Sequence, residues 1–438
     1  MRRAVRVLPV AVLLLAGCTE AAGPAVDDGP RAAAVWTAAL PGEIGAPQRA
    51  VEAEGRVLVR AERGLAVLDG GSGAVRWQRP ADKAAAVALT RAGVVLAEPG
   101  RPVRVLDAGT GAELRAFTDV RDRDRFTIGA DAAYRLRPGP DPTLTAVDLA
   151  TGAARWSRPL RGAQTVWYVR AAEPLQPGPI AVVPVAVQGV DGHRSIVSLT
   201  TAAGDQVATV PIADPAGVRL AAPDMLLAWD TQRTACDVTV TAYDLSAGAS
   251  RWTATVGQWL LSRPDDAPQC AAPGYLAVAG DWLLTLDPAE RPQVRDVHNG
   301  DPAWTGPAGD YPLGVAGGIV VTRTDHGRGP LAGYDLSGGE RRWTTALDRH
   351  NRTPASALNE EHAVVGTTLV ATVDRLDRAS DAPSKVQMAT AVTAFDTATG
   401  RQLWTSTGSV RLCGTTGDAA FACQGGNARP PELRRYRL

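Results

Sequence analysis

A short phrase recurs along this chain with fixed spacing, and it constrains the fold more than any other feature. An apolar segment ends in Asp, Gly follows four residues later, and Trp follows four residues after Gly. The five complete copies are Asp69, Gly73 and Trp77; Asp148, Gly152 and Trp156; Asp244, Gly248 and Trp252; Asp335, Gly339 and Trp343; and Asp396, Gly400 and Trp404. A phrase repeated every ~40–60 residues is typical of a repeat architecture.

Three worn copies fill the gaps between the complete ones. One runs from Asp107 to Gly111 and has Arg115 in the Trp position, and another keeps Asp296, Gly300 and Trp304. The most worn copy has Thr200, Gly204 and Ala208. The chain therefore carries eight such units in tandem.

Each phrase predicts a strand, a tight turn and a second strand. The residues before Asp are apolar β-formers, Asp side chains accept hydrogen bonds from turn backbone, and Gly adopts the positive φ that such turns require. Two more apolar runs precede each phrase, which gives four strands per unit, A to D, with the phrase joining C to D. Four-stranded antiparallel units repeated around an axis form a β-propeller, so the expected fold class is all-β, with each Trp wedged between neighbouring sheets.

The phrase resembles the repeat of the quinoprotein-dehydrogenase-like propellers, also called PQQ-like repeats, over residues 35–438. That superfamily includes pyrroloquinoline-quinone (PQQ) enzymes, a propeller lipoprotein of the bacterial outer-membrane assembly machine and many other cell-envelope proteins. The resemblance therefore implies the fold and leaves the activity open.

The two ends of the repeat region predict how the ring closes. The segment from Val35 to Leu40 resembles a D strand alone, whereas the last residues, from Val410 to Leu438, resemble strands A, B and C without D. The two ends are expected to share one blade, which removes free sheet edges. Eight phrases and one composite blade would make nine blades. Propellers usually have four to eight, and one worn unit could be irregular, so eight is the favoured count and nine remains open.

The first residues predict export and a lipid anchor. Arg2, Arg3 and Arg6 precede an apolar run too short to span a membrane, and the run ends in Leu-Ala-Gly-Cys18. This resembles the bacterial lipobox, which implies a signal peptide over residues 1–17 and acylation of Cys18. Residues 18–34 predict a flexible tether, and the propeller is expected on the outer face of the cytoplasmic membrane. An ordinary signal peptide with a chance Cys stays open as the alternative.

The remaining four cysteines are expected in an oxidising compartment. Cys413 and Cys423 fall in adjacent strands of the closing blade and are predicted to form a disulfide. Cys236 and Cys270 fall in a B–C loop and a D–A link, which emerge on the same face of a propeller, and are predicted to pair as well.

No catalytic set is found in the sequence. The quinone enzymes hold PQQ on the axis with calcium, and many have a disulfide between adjacent cysteines, but no adjacent cysteines exist here. The five histidines lack metal-ligand spacing, and the net charge of zero does not favour nucleic acid as a partner. We expect neither cofactor nor metal, although PQQ is possible.

The expected function is non-catalytic binding or scaffolding by a monomeric propeller with an envelope protein partner. The alternatives are a PQQ-dependent dehydrogenase and an envelope sensor of small ligands or carbohydrates. The longest insertions, Gly257 to Gly274, Leu347 to Ala357 and Asp374 to Ala389, are predicted to crowd one face, where loops on a rigid scaffold commonly bind partners. Neutral surface growth would produce the same insertions and also stays open.

Overall fold

The computed structural model describes residues 30–168, 181–189, 191–212, 217–222, 224–231, 237–257, 277–289, 291–324, 329–345, 362–377, 387–426 and 429–438. These residues form 36 strands, β1 to β36, and one 3-10 helix at Gly42–Ile44. No helix among them is long and apolar enough to cross a bilayer. The strands are grouped into nine four-stranded antiparallel sheets, the blades of a propeller.

Eight blades are continuous in the chain, and their strands follow in the order A, B, C, D. Blade 1 consists of β2 (Pro47–Ala53), β3 (Arg56–Ala61), β4 (Gly64–Asp69) and β5 (Val75–Pro80). Blade 2 consists of β6 (Ala86–Thr90), β7 (Gly93–Ala97), β8 (Val103–Leu106) and β9 (Glu113–Phe117). Blade 3 consists of β10 (Arg125–Ile128), β11 (Ala132–Arg137), β12 (Thr143–Asp148) and β13 (Ala154–Pro159). Blade 4 consists of β14 (Ala163–Tyr168), β15 (Val182–Gly189), β16 (Arg194–Thr200) and β17 (Gln206–Ile212).

The next four blades repeat the arrangement. Blade 5 consists of β18 (Gly217–Ala222), β19 (Met225–Thr231), β20 (Asp237–Asp244) and β21 (Ala249–Gly257). Blade 6 consists of β22 (Ala277–Ala279), β23 (Trp282–Leu286), β24 (Pro292–Asp296) and β25 (Pro302–Thr305). Blade 7 consists of β26 (Tyr311–Ala316), β27 (Ile319–Arg323), β28 (Leu331–Asp335) and β29 (Arg341–Thr345). Blade 8 consists of β30 (His362–Val365), β31 (Thr368–Asp377), β32 (Gln387–Asp396) and β33 (Gln402–Thr405).

Blade 9 is composite, as the sequence predicts. Its strands A, B and C are β34 (Arg411–Thr416), β35 (Ala419–Gly426) and β36 (Arg429–Arg437), and its strand D is β1 (Trp36–Ala39). β1 pairs with β36 from Trp36 opposite Arg435 to Ala39 opposite Glu432. The first described strand therefore closes the ring non-covalently.

Nine blades exceed the eight that the sequence favours and match the higher count that it leaves open. The reason is that the most worn phrase still builds the complete blade 4. Gly204 keeps a φ of 71° and donates its N–H to the Thr200 carbonyl at 3.0 Å. The Thr200 hydroxyl accepts from the N–H groups of Ala203 and Asp205, so it replaces the usual Asp carboxylate.

All eight phrases form the same C–D turn. The Gly N–H donates to the carbonyl of the first turn residue at 2.8–3.0 Å, and the Gly φ lies between 68° and 78°. In Asp69, one carboxylate oxygen accepts from the N–H groups of Gly71 and Ser72. The A–B turns share this face of the disc, here called the turn face. The B–C loops and D–A links form the opposite face, the loop face.

A β-bulge precedes every Trp position and was not predicted from the sequence. In blade 3, for example, Val147 pairs with Ala154 and Ala146 pairs with Trp156, so Arg155 is the extra residue. The same shift occurs in the other seven phrases. A bulge turns the following side chain relative to the sheet, and here that side chain is the Trp.

The Trp side chains join neighbouring blades at five junctions. Each indole Nε1–H donates to the carbonyl of the second turn residue in the next blade, at 2.8–3.1 Å: Trp36 to Gly70, Trp77 to Ala108, Trp156 to Thr201, Trp252 to Val297, and Trp343 to Thr397. The indole ring also covers the turn glycine, where a Cβ would lie 2.3–2.7 Å from it. We call this arrangement the Trp lock. It requires a glycine both for its φ and for the space that the ring fills.

The Trp lock predicts that two glycines of similar positive φ differ in tolerance to alanine. Gly204 and Gly162 both have positive φ, but a Cβ on Gly204 would lie 2.5 Å from Trp156, whereas a Cβ on Gly162 would meet nothing within 4 Å. Gly162→Ala should lower the free energy of unfolding by about 1–2 kcal/mol through backbone strain alone. Gly204→Ala should lower it by a further ~1–3 kcal/mol, because the ring must move. Chemical denaturation measures both, and equal losses would show that the indole does not fill the space over the turn.

Candidate functional site on the loop face

Only part of the expected binding face lies within the described residues. Gly257 and the strands that flank the insertions are described, but residues 258–276 and 346–361 lie outside them. The described part of the face consists of the remaining B–C loops and D–A links and of one long hairpin.

That hairpin belongs to blade 8. β31 and β32 have ten residues each and pair from Thr368 opposite Asp396 to Asp377 opposite Gln387. Strand β30 pairs with β31 only as far as Ala371, and strand β33 pairs with β32 only from Thr393 onwards. The far half of the ribbon therefore projects beyond its own blade on the loop face. The insertion predicted from Asp374 to Ala389 starts and ends as strand, and only residues 378–386 lie outside the described residues.

Buried ion pairs hold the link between blades 2 and 3. Asp124 lies in this D–A link, its side chain is 1% exposed, and it accepts from Arg137 Nε at 3.2 Å and Nη2 at 3.1 Å. Asp119 binds Arg137 and Arg135 from the same link, at 3.1 Å and 3.2 Å. The bonds from Arg137 lower the pKa of Asp119, and the bond to Asp124 raises the pKa of Arg137. The two carboxylates and the two guanidinium groups fix the link against strand β11.

A second network ties blade 1 to blade 2. The buried Arg60 guanidinium donates to the carbonyl of Asp82 at 2.5 Å, and the Asp82 N–H donates to Glu98 at 3.2 Å. Glu98 is buried and also binds Arg104. Desolvation lowers the pKa of Arg60, and the nearby carboxylates of Asp82 and Glu98 oppose that shift. These groups stabilise the D–A link between blades 1 and 2 and the B–C loop of blade 2.

Two further buried carboxylates shape the loop face in blades 6 and 7. Asp287 accepts the backbone N–H groups of Ala289 and Arg291, each at 2.9 Å, and closes a B–C loop. Asp310 accepts the Tyr334 hydroxyl at 2.9 Å and the Thr322 hydroxyl at 3.1 Å. Burial raises the pKa of Asp310 and raises the pKa of Tyr334 to about 12. The buried charged groups of the described loop face are therefore bound to its loops and strands.

One of the two expected disulfides lies within the described residues. Cys413 and Cys423 are bonded, with their Cα atoms 5.8 Å apart, and join strands A and B of the closing blade. Both belong to a core that blades 9 and 1 share, which includes Trp36 and Phe421. Cys236, Cys270 and the predicted acylation site Cys18 lie outside the described residues.

The histidines do not form a metal site within the described residues. His193 lies in a loop of blade 4, His298 lies in a turn of blade 6 beside Asp281 at 3.5 Å, and His362 bonds the Leu313 carbonyl at 3.0 Å. Across the described ranges, no group of three or more His, Cys, Asp or Glu side chains is placed to hold a metal ion.

The turn face also has a two-blade period in the residue before each Trp position. The pattern is visible in the sequence, but it was not predicted. The bulged residue before the Trp position is Arg in blades 1, 3, 5 and 7 and aliphatic in blades 2, 4, 6 and 8. Each Arg binds the first Asp of its own turn: Arg76 to Asp69, Arg155 to Asp148, Arg251 to Asp244, and Arg342 to Asp335. The bond from Arg155 lowers the pKa of Asp148 to about 2. Aligning the eight phrases exposes this two-blade period.

The comparisons with known proteins agree with this architecture. The family described as outer membrane protein assembly factor BamB matches residues 25–254, more than half of the chain. No curated protein matches.

Three solved structures are similar at low identity. BamB from Moraxella catarrhalis is 15% identical, with a TM-score of 0.43, and the alignment covers 80% of this chain and 96% of that one. The quinohemoprotein alcohol dehydrogenase ADHIIG from Pseudomonas putida HK5 is 11% identical, with a TM-score of 0.45, covering 93% and 76%. The computationally designed protein Ika8 is 13% identical, with a TM-score of 0.45, covering 93% and 100%.

The buried ion pairs predict a sharp contrast between two aspartates. Asp124→Ala leaves Arg135 and Arg137 without their buried partner and should lower the free energy of unfolding by about 3 kcal/mol. Asp205→Ala is the matched control, because it removes an Arg158 partner that is 69% exposed, and it should cost no more than about 1 kcal/mol. Urea denaturation compares them, and a loss at Asp124 no larger than the loss at Asp205 would contradict a structural role for the network.

Proposed function

The chain belongs to the family of the outer membrane protein assembly factor BamB, and we propose that it is a lipid-anchored binding and scaffolding propeller of the cell envelope. The family points to an exported, envelope-associated protein with protein partners. The arginines before the apolar run and the Leu-Ala-Gly-Cys18 sequence support the anchor. Acylation at Cys18 would hold the propeller on the outer face of the cytoplasmic membrane, with residues from Thr19 onwards as the start of the tether.

The observation that carries the proposal is that buried charged side chains on the loop face bind and position its loops. The Asp124 and Glu98 carboxylates accept backbone N–H groups of the loop face, and the Arg60 guanidinium donates to a backbone carbonyl there. Preorganised loops lose less conformational entropy when a partner binds, so a fixed polar platform suits protein recognition. The projecting ribbon of β31 and β32 adds an edge that stands above this platform.

The rival class, a PQQ-dependent dehydrogenase, would need a calcium-binding group and an aromatic surface for the quinone. The five Trp side chains of the locks are packed between blades and donate to neighbouring turns, so they do not offer such a surface. The described residues also lack a carboxylate cluster suited to calcium. These residues do not fit the cofactor, and no catalytic step is derived for it. Titration of the purified protein with PQQ and Ca²⁺ separates the classes, since stoichiometric uptake with dye-linked alcohol oxidation would support the dehydrogenase.

The scaffold proposal is tested by purifying the full-length protein from its native envelope after cross-linking. We expect the wild type to fractionate with membranes and to copurify a defined protein partner. Deleting residues 378–385, beyond the described end of β31, should reduce partner recovery at least about tenfold with nearly unchanged thermal stability, because shortening a surface loop has a small entropic effect.

Two control variants complete that experiment. Cys18→Ala should abolish lipid attachment, which mass spectrometry of the mature product detects. Deleting Ser337 and Gly338 shortens the C–D turn of blade 7 and should lower stability by breaking strand register. A partner recovered equally with and without residues 378–385 would place the binding surface elsewhere, and a lipid-modified Cys18→Ala product would refute the anchor.

A further inference from the structure

The junctions between blades are of different kinds, and the kinds follow the two-blade period. Trp locks occur between blades 9 and 1, 1 and 2, 3 and 4, 5 and 6, and 7 and 8. At the junctions between blades 2 and 3, 4 and 5, and 6 and 7, the second turn residue is a leucine: Leu149, Leu245 and Leu336, respectively. Each Leu packs back into the core of the preceding blade. From blade 1 to blade 8, the junctions therefore alternate between a Trp that reaches forward and a Leu that packs backward.

The Leu junctions occur where a Trp lock is not made. Phe117 replaces the Trp ring beside Gly152, and Ala208 contacts Gly248. Trp304 is present, but its buried Nε1–H has no hydrogen-bond partner among the described residues, and it approaches the Cβ position of Gly339 only to 4.0 Å. Either a Trp lock or a Leu that packs backward fills the space between two blades.

The junction between blades 8 and 9 uses neither device. Strands C and D of blade 9 come from distant parts of the chain, so no C–D turn follows Trp404 into the next blade. Trp404 instead stacks on Tyr436, with ring centroids 5.1 Å apart and planes at 20°. An open groove of about 500 Å³ lies at this junction, lined by residues that include Ala32, Ala34, Thr407 and Arg434.

Residues 30–35, here called the strap, form one side of this groove through Arg31 to Ala34. Arg31 forms a parallel bridge with Thr405 at the outer edge of blade 8. The Ala32 N–H donates to the Thr405 carbonyl at 3.0 Å, and the Thr405 N–H donates to the Pro30 carbonyl at 3.1 Å. The Val35 N–H donates to the Arg435 carbonyl of blade 9 at 2.8 Å. The strap thus runs from the rim of blade 8 to the rim of blade 9.

We propose that the strap is a latch, which detaches from blade 8 and exposes the rim between blades 8 and 9. Two backbone hydrogen bonds to Thr405 and the partly buried side chains of Ala32 and Ala34 attach the strap, whereas β1 is held by a four-residue ladder and by the Trp36 lock. The strap can therefore leave blade 8 while the ring stays closed at β1. Its release uncovers the outer edge of β33 and removes one side of the groove, which makes this rim a switchable surface rather than a fixed one.

Hydrogen–deuterium exchange of the full chain, read by mass spectrometry, tests the latch. Ala32→Pro removes the N–H that donates to Thr405, and extended backbone accepts proline. Exchange in peptides covering residues 402–410 should rise at least about tenfold, while peptides from the blade 1 and 2 junction stay unchanged. Ala33→Pro is the matched control: it places the same ring one residue along the strap, at an exposed position whose N–H makes no hydrogen bond among the described residues.

A second variant locks the latch and keeps the test decisive if Ala32→Pro folds poorly. Arg31→Cys with Thr405→Cys places thiols on the two bridged residues, and oxidation should suppress exchange at residues 402–410 relative to the reduced form. Slow exchange at residues 402–410 in both the wild type and Ala32→Pro would overturn the proposal. A rise spread evenly over all blades, or an oxidised lock that leaves local exchange unchanged, would overturn it as well.

Discussion

The rest of this structure depends on the contact between a Trp ring and the glycine turn of the next blade. The ring occupies the space where a side chain on glycine would be, and its Nε1–H satisfies a turn carbonyl, so one side chain supplies apolar contact and orientation together. Because the turn exists only when Gly has positive φ, turn and lock select the same residue. The same contact through Trp36 closes the ring onto blade 1.

The lock also explains why the propeller has a two-blade period. A blade that offers a Trp needs a small or β-branched residue in the receiving turn, such as Ala108 or Thr201, whereas a turn that receives no Trp can carry a Leu that fills the gap from the other side. Arg155 and its equivalents then brace the turns of alternate blades through their Asp partners. A ninth blade built from both chain segments breaks this alternation at its two junctions, and the strap bridges blade 8 to blade 9.

Much of the fold was predictable because each signal is local. The spacing of Asp, Gly and Trp gave the turns, and the unpaired end segments gave the composite blade. The favoured count of eight was too low because a worn phrase such as Thr200 to Ala208 can lose its Asp and Trp and still form a blade with neighbours on both sides. The candidate site was less predictable, because Asp124 and Arg137 lie outside the repeated phrase and meet only when β10 and β11 pair. The disulfide between Cys413 and Cys423 was predictable, since both lie in one hairpin.

The central claim, that Trp locks hold neighbouring blades together, is tested most directly by hydrogen exchange of the indole groups. The chain has 11 Trp residues, and NMR of Trp-labelled protein resolves the Nε1–H of each. Five indole N–H groups should exchange no faster than the propeller unfolds globally, because each is bonded between two blades: those of Trp36, Trp77, Trp156, Trp252 and Trp343. Exchange of these five indoles at the rate of free Trp would contradict the account.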